Sequence, residues 1–305
     1  MSWHTAETLI GRDAPRCDPV ETVIVPRSRD VGGFAVRRAL PSARRQMVGP
    51  FIFLDQMGPV ELLTGQGLDV RPHPHIGLAT LTWLVEGELM HRDSLGSAQR
   101  IRPGDVNWMI AGSGIAHSER TPDEQRPVAT RLAGLQAWIA LPARAEESDP
   151  GFAHHEAVTL PVIEGEGKRV VLLAGSGWGE RAPVETFSET IYADATLAAG
   201  ASLPVAAVHD ERALYLLTGA VEIAGDRFEA GSLLILHPGD DITVTAATDS
   251  RLLLLGGQPM DGPRFIWWNF VSSRKDRIEQ AKADWQAGRF EAVPGDDDVM
   301  PLPGR

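Results

Sequence analysis

Cysteine is almost missing from this chain of 305 residues, where Cys17 is the only example. A single thiol cannot form a disulfide within the chain, so a small secreted fold held together by disulfides is excluded. A reducing compartment is therefore expected. This places the protein in the cytoplasm, or in the nucleus if the chain is eukaryotic.

Long apolar runs are missing as well. The longest candidate, residues 252–255, is far shorter than the ~20 apolar residues that a membrane-spanning helix requires. Residues 1–7 contain no basic region followed by an apolar stretch, so no secretory signal is expected. We therefore predict a protein without a membrane-spanning segment.

Positive charge is scarce in this sequence. Lys and Arg number 29 against 41 Asp and Glu, which gives a formal net charge of −12. Such a balance repels phosphate backbones and anionic lipid surfaces, so neither direct nucleic-acid binding nor membrane binding is expected. Hydrophobic residues make up 43% of the chain, enough for one large domain or two ordinary ones.

Helical periodicity is nearly absent before residue 272. Short apolar stretches separated by Gly, Pro and Asp clusters predict many short strands, which is typical of a β-sandwich or β-barrel. The predicted strands cover residues 20–26, 34–40, 51–55, 78–85, 89–92, 132–141, 170–174, 190–197, 213–218, 232–236 and 251–255, and residues 100–106 are predicted to hold a strand end with a tight Pro-Gly-Asp turn. The fold is therefore predicted to be all-β.

One helix is predicted near the C-terminus. Ser273 to Asp276 resembles a capping box, and a polar amphipathic helix is expected over residues 277–288. Lys275 and Arg277 are interpreted as solvated helix charges rather than a recognition patch. Residues 292–305 are expected to form an irregular tail.

A glycine-punctuated pattern occurs twice, about 133 positions apart, which indicates a duplicated domain. The duplication predicts a first barrel over 1–141, a linker at 142–150, a second barrel over 151–260, and a helix and tail over 261–305. Only the first copy has histidines at the two ligand positions, so only the first barrel is expected to hold a metal. The matching positions are Gly67, His73, His75, Thr80 and Gly87 in the first copy and Gly200, Ala206, Val208, Arg212 and Gly219 in the second.

Four candidate metal ligands lie within the predicted first barrel. His73 and His75 are two residues apart, and so are His117 and Glu119. Residues i and i+2 of a strand point to the same face, so each pair can direct both side chains into one cavity. Three imidazoles and a carboxylate suit iron, nickel, copper, manganese or zinc better than calcium or magnesium.

The segments of sequence around these four residues resemble the two motifs of the cupin superfamily and, in fuller detail, the pirin family. The resemblance implies two tandem jelly-roll barrels (a bicupin) and one iron in the N-terminal barrel, with His73, His75, His117 and Glu119 as ligands. Many cupins carry a glutamate ligand where Thr80 stands, whereas here, as in pirins, the carboxylate is that of Glu119. Many pirins carry a histidine near Gln56, a departure that bears on the pocket lining and not on the metal. The similar segments are residues 71–80, 91–96, 103–109 and 114–120.

An octahedral ion held by these four side chains keeps two open positions for a chelating substrate oxygen and dioxygen. Reaction with dioxygen requires a redox-active metal, so Fe(II) is favoured over zinc, with other divalent transition metals as alternatives. This predicts an oxidoreductase, a dioxygenase acting on an enol or catechol-like compound. The resemblance to pirins implies quercetin 2,3-dioxygenase chemistry, which opens the central flavonol ring and releases carbon monoxide. Glu119 is the candidate general base, although a metal-bound carboxylate is a poor one.

Two other functions are consistent with the same residues. The first is a non-catalytic, metal-containing regulatory protein, in which the second barrel and the polar C-terminal helix would bind a protein partner. The second is an isomerase or hydrolase that uses the metal as a Lewis acid.

The remaining polar and aromatic residues have simpler interpretations. His91 is predicted to be a structural histidine, and Asp105 and Asp240 to belong to Pro-Gly-Asp turns. A second group of residues is expected to serve in packing or structure, although its tryptophans could also line a pocket for an aromatic substrate. This group contains Trp83, Trp108, Trp138, His154, His155, His209 and His237.

Overall fold

The computed structural model describes residues 4–6, 18–31 and 34–304, most of which lie in β-strands. The strands of the first half are β1 (His4–Ala6), β2 (Val20–Ile24), β3 (Arg27–Val31), β4 (Phe34–Leu40), β5 (Phe51–Leu62), β6 (Asp69–His75), β7 (Leu78–Glu86), β8 (Leu89–Asp93), β9 (Ala98–Ile101), β10 (Val106–Ile110), β11 (Ile115–Arg120), β12 (Thr130–Ala140) and β13 (Gly151–His155).

The second half continues in the same way. Its strands are β14 (Val162–Gly165), β15 (Lys168–Gly177), β16 (Glu180–Arg181), β17 (Thr190–Leu197), β18 (Ser202–Val205), β19 (Glu211–Thr218), β20 (Ala220–Ile223), β21 (Asp226–Glu229), β22 (Leu233–Leu236), β23 (Ile242–Ala246), β24 (Ser250–Gly257), β25 (Arg264–Trp267) and β26 (Phe270–Ser272). A helix, α1 (Lys275–Gln286), follows, and short 3-10 turns lie at Asp123–Gln125, Ala143–Ala145 and Ala157–Thr159.

Two β-barrels are built from these strands. In the first, a seven-stranded sheet in the order β13-β10-β7-β12-β5-β4-β3 faces a four-stranded sheet in the order β6-β11-β8-β9. In the second, a sheet in the order β14-β15-β17-β24-β19-β22-β2 faces the sheet β18-β23-β20-β21. The prediction of an all-β fold with two barrels and a short C-terminal helix is confirmed.

The barrels pack on each other through the outer faces of their larger sheets. Alternate residues of a strand point to opposite faces, so Leu81 and Trp83 of β7 join this shared apolar cluster. Phe51 of the first barrel and Tyr192 of the second meet there with ring centroids 5.2 Å apart. This cluster of buried residues from both halves packs the two barrels together.

Each barrel takes one strand from the other half of the chain. Strand β2 pairs with β22 and so lies in the second barrel, although it precedes the whole first barrel in sequence. Strand β13 pairs with β10 and so completes the sheet of the first. The domain limits at 142–150 stay a prediction, and the exchanged strands add to the contact between the barrels.

One predicted strand end is wrong. Strand β5 was expected to stop before Met57, yet it continues to Leu62. Gly58 has a positive φ of 61°, and a Cβ there would lie 2.1 Å from the carbonyl oxygen of Leu132. The glycine therefore allows a bulge against β12, whose register shifts between Leu132 and Gly134, and the strand passes through instead of turning.

The predicted capping box is also wrong. Arg274 is the N-cap and makes no capping bond with its side chain. The Ser273 hydroxyl instead donates to Glu146 Oε2 at 2.8 Å, a partner far away in sequence. Arg277, predicted to be solvated, is buried and donates to Glu147 at 2.9 Å and to the Ser113 carbonyl at 2.5 Å.

Residues 292–304 form no helix or strand, as expected, but they are held against the first barrel. Asp296 binds Arg120 through Nε at 2.6 Å and Nη2 at 2.8 Å, and Met300 N donates to the Pro72 carbonyl at 2.8 Å. No helix in the described part of the chain is long and apolar enough to cross a membrane.

Candidate metal centre

Three of the predicted ligands meet inside the first barrel. Strands β6 and β11 are antiparallel, with His117 opposite His73 and Ile115 opposite His75. The ligand nitrogens of the three histidines all lie within 4.8 Å of one another. Each imidazole is at most 6% exposed. The structure thus brings His73, His75 and His117 into one buried group that could hold a metal ion.

The backbone that holds β6 and β11 in place requires glycine at one position. Gly77 follows His75 and donates its N–H to the Gly112 carbonyl at 2.8 Å, which joins the ends of the two strands. Its φ is +67°, and a Cβ there would lie 2.0 Å from the Val271 carbonyl oxygen. Any larger residue would therefore displace β26 or the strand that carries His75.

Each histidine uses Nδ1 for a hydrogen bond and leaves Nε2 free. His73 Nδ1 donates to the Arg71 carbonyl at 2.8 Å, and His75 Nδ1 donates to the Asn269 carbonyl at 3.2 Å. His117 Nδ1 lies 3.4 Å from Nδ1 of His91, and its Nε2 is buried without a hydrogen-bond partner. A carbonyl-bound Nδ1–H with an available Nε2 lone pair is how metal-ligating histidines are arranged, so these residues fit a transition metal.

The electrostatics of the group favour neutral imidazoles. Burial lowers the pKa of all three histidines, and it does so most strongly for His75 and His117. Repulsion between the rings lowers the pKa of His75 and His117 further, whereas Glu119 counteracts the decrease at His73. Metal binding requires deprotonated imidazoles, so this environment prepares the group for a cation.

Glu119, the fourth predicted ligand, faces the barrel interior but holds other partners. Among the residues that the structure describes, the group of ligand atoms within 4.8 Å of one another consists of the three imidazoles. The carboxylate of Glu119 accepts hydrogen bonds from Gln136 Nε2 at 2.9 and 2.8 Å and from Thr82 Oγ1 at 3.1 Å. Its role as a ligand therefore stays a prediction.

Gln136 and Thr82 belong to a polar row that the sequence analysis missed. Asp55, Gln136, Thr82 and Asn107 are successive Cα partners on four neighbouring strands of the large sheet. The available signal was a glutamine among apolar residues in β12, on the opposite face from Leu135. The row gives the interior a band of hydrogen-bonding groups around Glu119.

An aromatic pair lies beside His75, on the same face of β12 as Gln136. Trp138 stacks on Phe53 with centroids 3.9 Å apart, and it meets His75 edge-on at 5.1 Å. Trp83 and Trp108 belong to the cluster between the barrels, which confirms packing as their role. Only Trp138 of these three tryptophans lies beside the candidate ligands.

Gln56 does not take part in the site. Its Oε1 accepts a hydrogen bond of 2.6 Å from the hydroxyl of Tyr215 in the second barrel. The departure from the pirin pattern at this position therefore lies outside the lining of the site, because odd and even residues of β5 face opposite sides and Gln56 points toward the barrel interface.

Comparisons with known proteins agree with this architecture. A model of the pirin family matches residues 33–139, and a model of the pirin C-terminal cupin domain matches residues 192–291. A pirin-like protein of Caulobacter vibrioides is 47% identical over 288 residues, which cover 93% of this chain and 99% of that protein.

Two solved structures of quercetin 2,3-dioxygenase from Acinetobacter baumannii are also similar. One has 36% identity and a TM-score of 0.86, covering 93% of this chain and 95% of its own. The other has 28% identity and a TM-score of 0.83, covering 92% and 99%. Models of the pirin family match both barrels, and the relative from Caulobacter vibrioides, of nearly equal length, is 47% identical. The chain therefore belongs to the pirin family of the cupin superfamily.

Proposed function

We propose that this protein is an iron(II)-dependent dioxygenase that opens the central ring of a flavonol such as quercetin with O2. The observation that carries the proposal is the buried group of three imidazoles, each with Nε2 available, beside an aromatic surface. The similarity to two structures named quercetin 2,3-dioxygenase supports it. His73, His75, His117 and Glu119 would hold the metal.

A bound redox-active ion supplies the electronic route by which dioxygen reacts with a closed-shell organic molecule. Fe(II) is proposed because neutral nitrogen and carboxylate ligands suit it and because zinc lacks redox chemistry. Manganese, nickel and copper share this donor preference, so the test below compares the activity of the protein loaded with each metal.

Glu119 is proposed to serve the reaction as well as the metal. Gln136 contacts both of its oxygens, and Thr82 contacts one of them. The negative charge of Glu119 acts on His73, and we assign to this carboxylate the role of base toward a flavonol hydroxyl. When Glu119 binds the metal, that basicity is reduced, so proton transfer is assigned to the form bound to Gln136.

The interior of the barrel suits a flat, hydroxylated aromatic molecule. Trp138 and Phe53 provide the apolar surface, while Gln136 and Thr82 provide hydrogen-bonding groups on the neighbouring row. Flavonols combine these features, with planar rings and hydroxyl groups on their edges. The substrate class is therefore proposed from the surface chemistry together with the family.

Oxygen-dependent turnover tests this function. The protein is loaded with Fe(II) without air, quercetin is added, oxygen is admitted, and flavonol absorbance, oxygen uptake and carbon monoxide are followed. Turnover should vanish in His75→Ala and persist in His155→Ala, a half-buried histidine that is opposite Val106 and faces away from the interior. Parallel loading with manganese, nickel, copper and zinc identifies the competent metal.

A regulatory protein that binds a protein partner is the second candidate. His75 is held by the carbonyl of Asn269, in the turn between β25 and β26. The half-buried Trp267, which ends β25, and Trp268, in the turn, lie next to it in sequence. A metal ion bound at His75 would therefore be linked, through the Asn269 carbonyl, to the neighbouring tryptophans. Full metal loading without turnover of several flavonols, together with partner capture lost in His75→Ala, would favour this function. Turnover without oxygen would favour the isomerase or hydrolase.

A further inference from the structure

His91 lies directly behind one of the candidate ligands. It belongs to β8, which pairs with β11 so that His91 is opposite Glu119 and Asp93 is opposite His117. Its ring is 4% exposed. Nδ1 of His91 lies 3.4 Å from Nδ1 of His117, and Nε2 lies 3.0 Å from Oδ2 of Asp93. The three side chains form one continuous line that ends at the free Nε2 of His117.

Asp93 determines the direction of the hydrogen bonds in this line. Its side chain is fully buried, and Oδ1 accepts the backbone N–H groups of Leu95 and Ser97, both at 3.0 Å. An ionised carboxylate only accepts, so the hydrogen between Asp93 and His91 is on Nε2 of the histidine. In a neutral imidazole, Nδ1 of His91 is then an acceptor, and the hydrogen between the two rings belongs to His117 Nδ1.

The His91 ring is also held in its plane. Phe152 of β13 stacks on it, with centroids 4.4 Å apart and an interplanar angle of 14°. Asp93 at one edge and Phe152 on one face leave the imidazole little freedom to rotate. His91 therefore presents its acceptor nitrogen to His117 in one fixed orientation.

His117 differs from the other two histidines in depending on a side chain. Nδ1 of His73 and Nδ1 of His75 are bonded to backbone carbonyls, which no substitution removes. The partner of His117 Nδ1 is His91. The orientation of this one ligand can therefore be altered by changing a residue that does not itself reach the metal.

We propose that His91 is a positioning residue that sets the tautomer and ring orientation of His117, so that Nε2 of His117 faces the metal. The inference rests on the metal site of the proposed function. It does not require that the bound metal react with a flavonol. Asp93 and Phe152 act through His91 and would be needed for the same effect.

Two substitutions at this position separate the hydrogen bond from the packing. His91→Phe retains a flat ring against Phe152 but offers His117 no acceptor. His91→Gln offers an amide oxygen to His117 and an amide N–H to Asp93. We expect Fe(II) affinity, measured by competition with a chelator, to fall roughly 10–100-fold in His91→Phe, the range known for groups that orient metal ligands. His91→Gln should stay within about threefold of the wild type.

The Co(II) absorption spectrum adds a readout independent of activity, since its bands report the geometry of the bound imidazoles. His154→Phe is the matched control, because His154 also pairs with a side chain of the first barrel, Asn107 Oδ1 at 2.7 Å, without contacting a candidate ligand. The control should keep wild-type affinity and spectrum. Equal affinity in His91→Phe and the wild type, with both folded, would overturn the proposal.

Nitrogen NMR of the metal-free wild type tests the tautomer directly and needs no variant. His117 should carry its hydrogen on Nδ1, and a hydrogen on Nε2 would contradict the positioning role even if His91→Phe failed to fold. Metal binding with the expected affinity ratio but no flavonol turnover would reject the dioxygenase while supporting the role of His91.

Discussion

Gln136 donates from one side-chain nitrogen to both carboxylate oxygens of Glu119, at 2.9 and 2.8 Å. The two residues come from opposite sheets of the first barrel, β12 and β11. Gln136 and a metal ion would therefore compete for Glu119, because the oxygens that accept from Gln136 are the ones that a metal would require.

Replacing Gln136 should therefore destabilise the metal-free protein. Gln136→Leu removes both contacts and leaves the buried carboxylate with the Thr82 hydroxyl as its donor, which should cost about 1–3 kcal/mol in the free energy of unfolding. Thr82→Val should cost less, since Gln136 still contacts both oxygens. Urea denaturation of the two metal-free variants measures the difference. Equal losses, or none, would show that Gln136 is not the main support of Glu119.

The metal-free protein should lose stability in mild acid. Burial lowers the pKa of His73, His75 and His117 in the folded state, while unfolded histidines keep the ordinary value of 6.5. As pH falls below this value, the unfolded chain binds protons that the folded chain does not, so the folded state becomes less stable. Each histidine should contribute up to ~1.4 kcal/mol per pH unit.

Denaturation of the metal-free protein from about pH 8 to about pH 5.5 checks this slope. The curve should be nearly flat above about pH 7, where all three imidazoles are neutral in both states. His75→Phe should have a shallower slope because one of the contributing groups is gone. An unchanged slope in that variant would mean that His75 is protonated in the folded protein.

The C-terminal tail should stabilise the strand that carries His117 and Glu119. Asp296 is mostly buried and binds two nitrogens of Arg120, so Asp296→Ala should lower the free energy of unfolding by about 1–3 kcal/mol. Asp298→Ala is the matched control. Asp298 is 62% exposed and should cost less than about 1 kcal/mol. Proteolysis after residue 291 should accelerate only in the first variant, and similar behaviour of both would contradict this role.

The hydrogen bond between the barrels should matter for stability but not for the metal. Tyr215→Phe leaves Oε1 of Gln56 buried without its donor, which should cost about 1–3 kcal/mol. Metal affinity should stay at the wild-type level, since Gln56 points away from the histidines. A parallel loss of metal affinity would indicate that the barrel interface influences the site.

Local spacing determined the parts of the site that depend on one strand at a time. The period of two residues in a strand predicts that His73 and His75 share a face, and the structure confirms that they meet His117. The glycine pattern and the pirin-like segments likewise predicted the double-barrel fold. The signals used are local ones: the two-residue period of a strand and short segments of recognisable sequence.

Tertiary structure decided which atoms of those residues are free. The register between β11, β8 and β12 places His91 behind His117 and Gln136 beside Glu119, and no local pattern sets that register. The same holds for β2, which pairs with a strand more than two hundred positions away. Side-chain direction follows from backbone geometry within one strand, whereas partners across strands depend on how the whole chain packs.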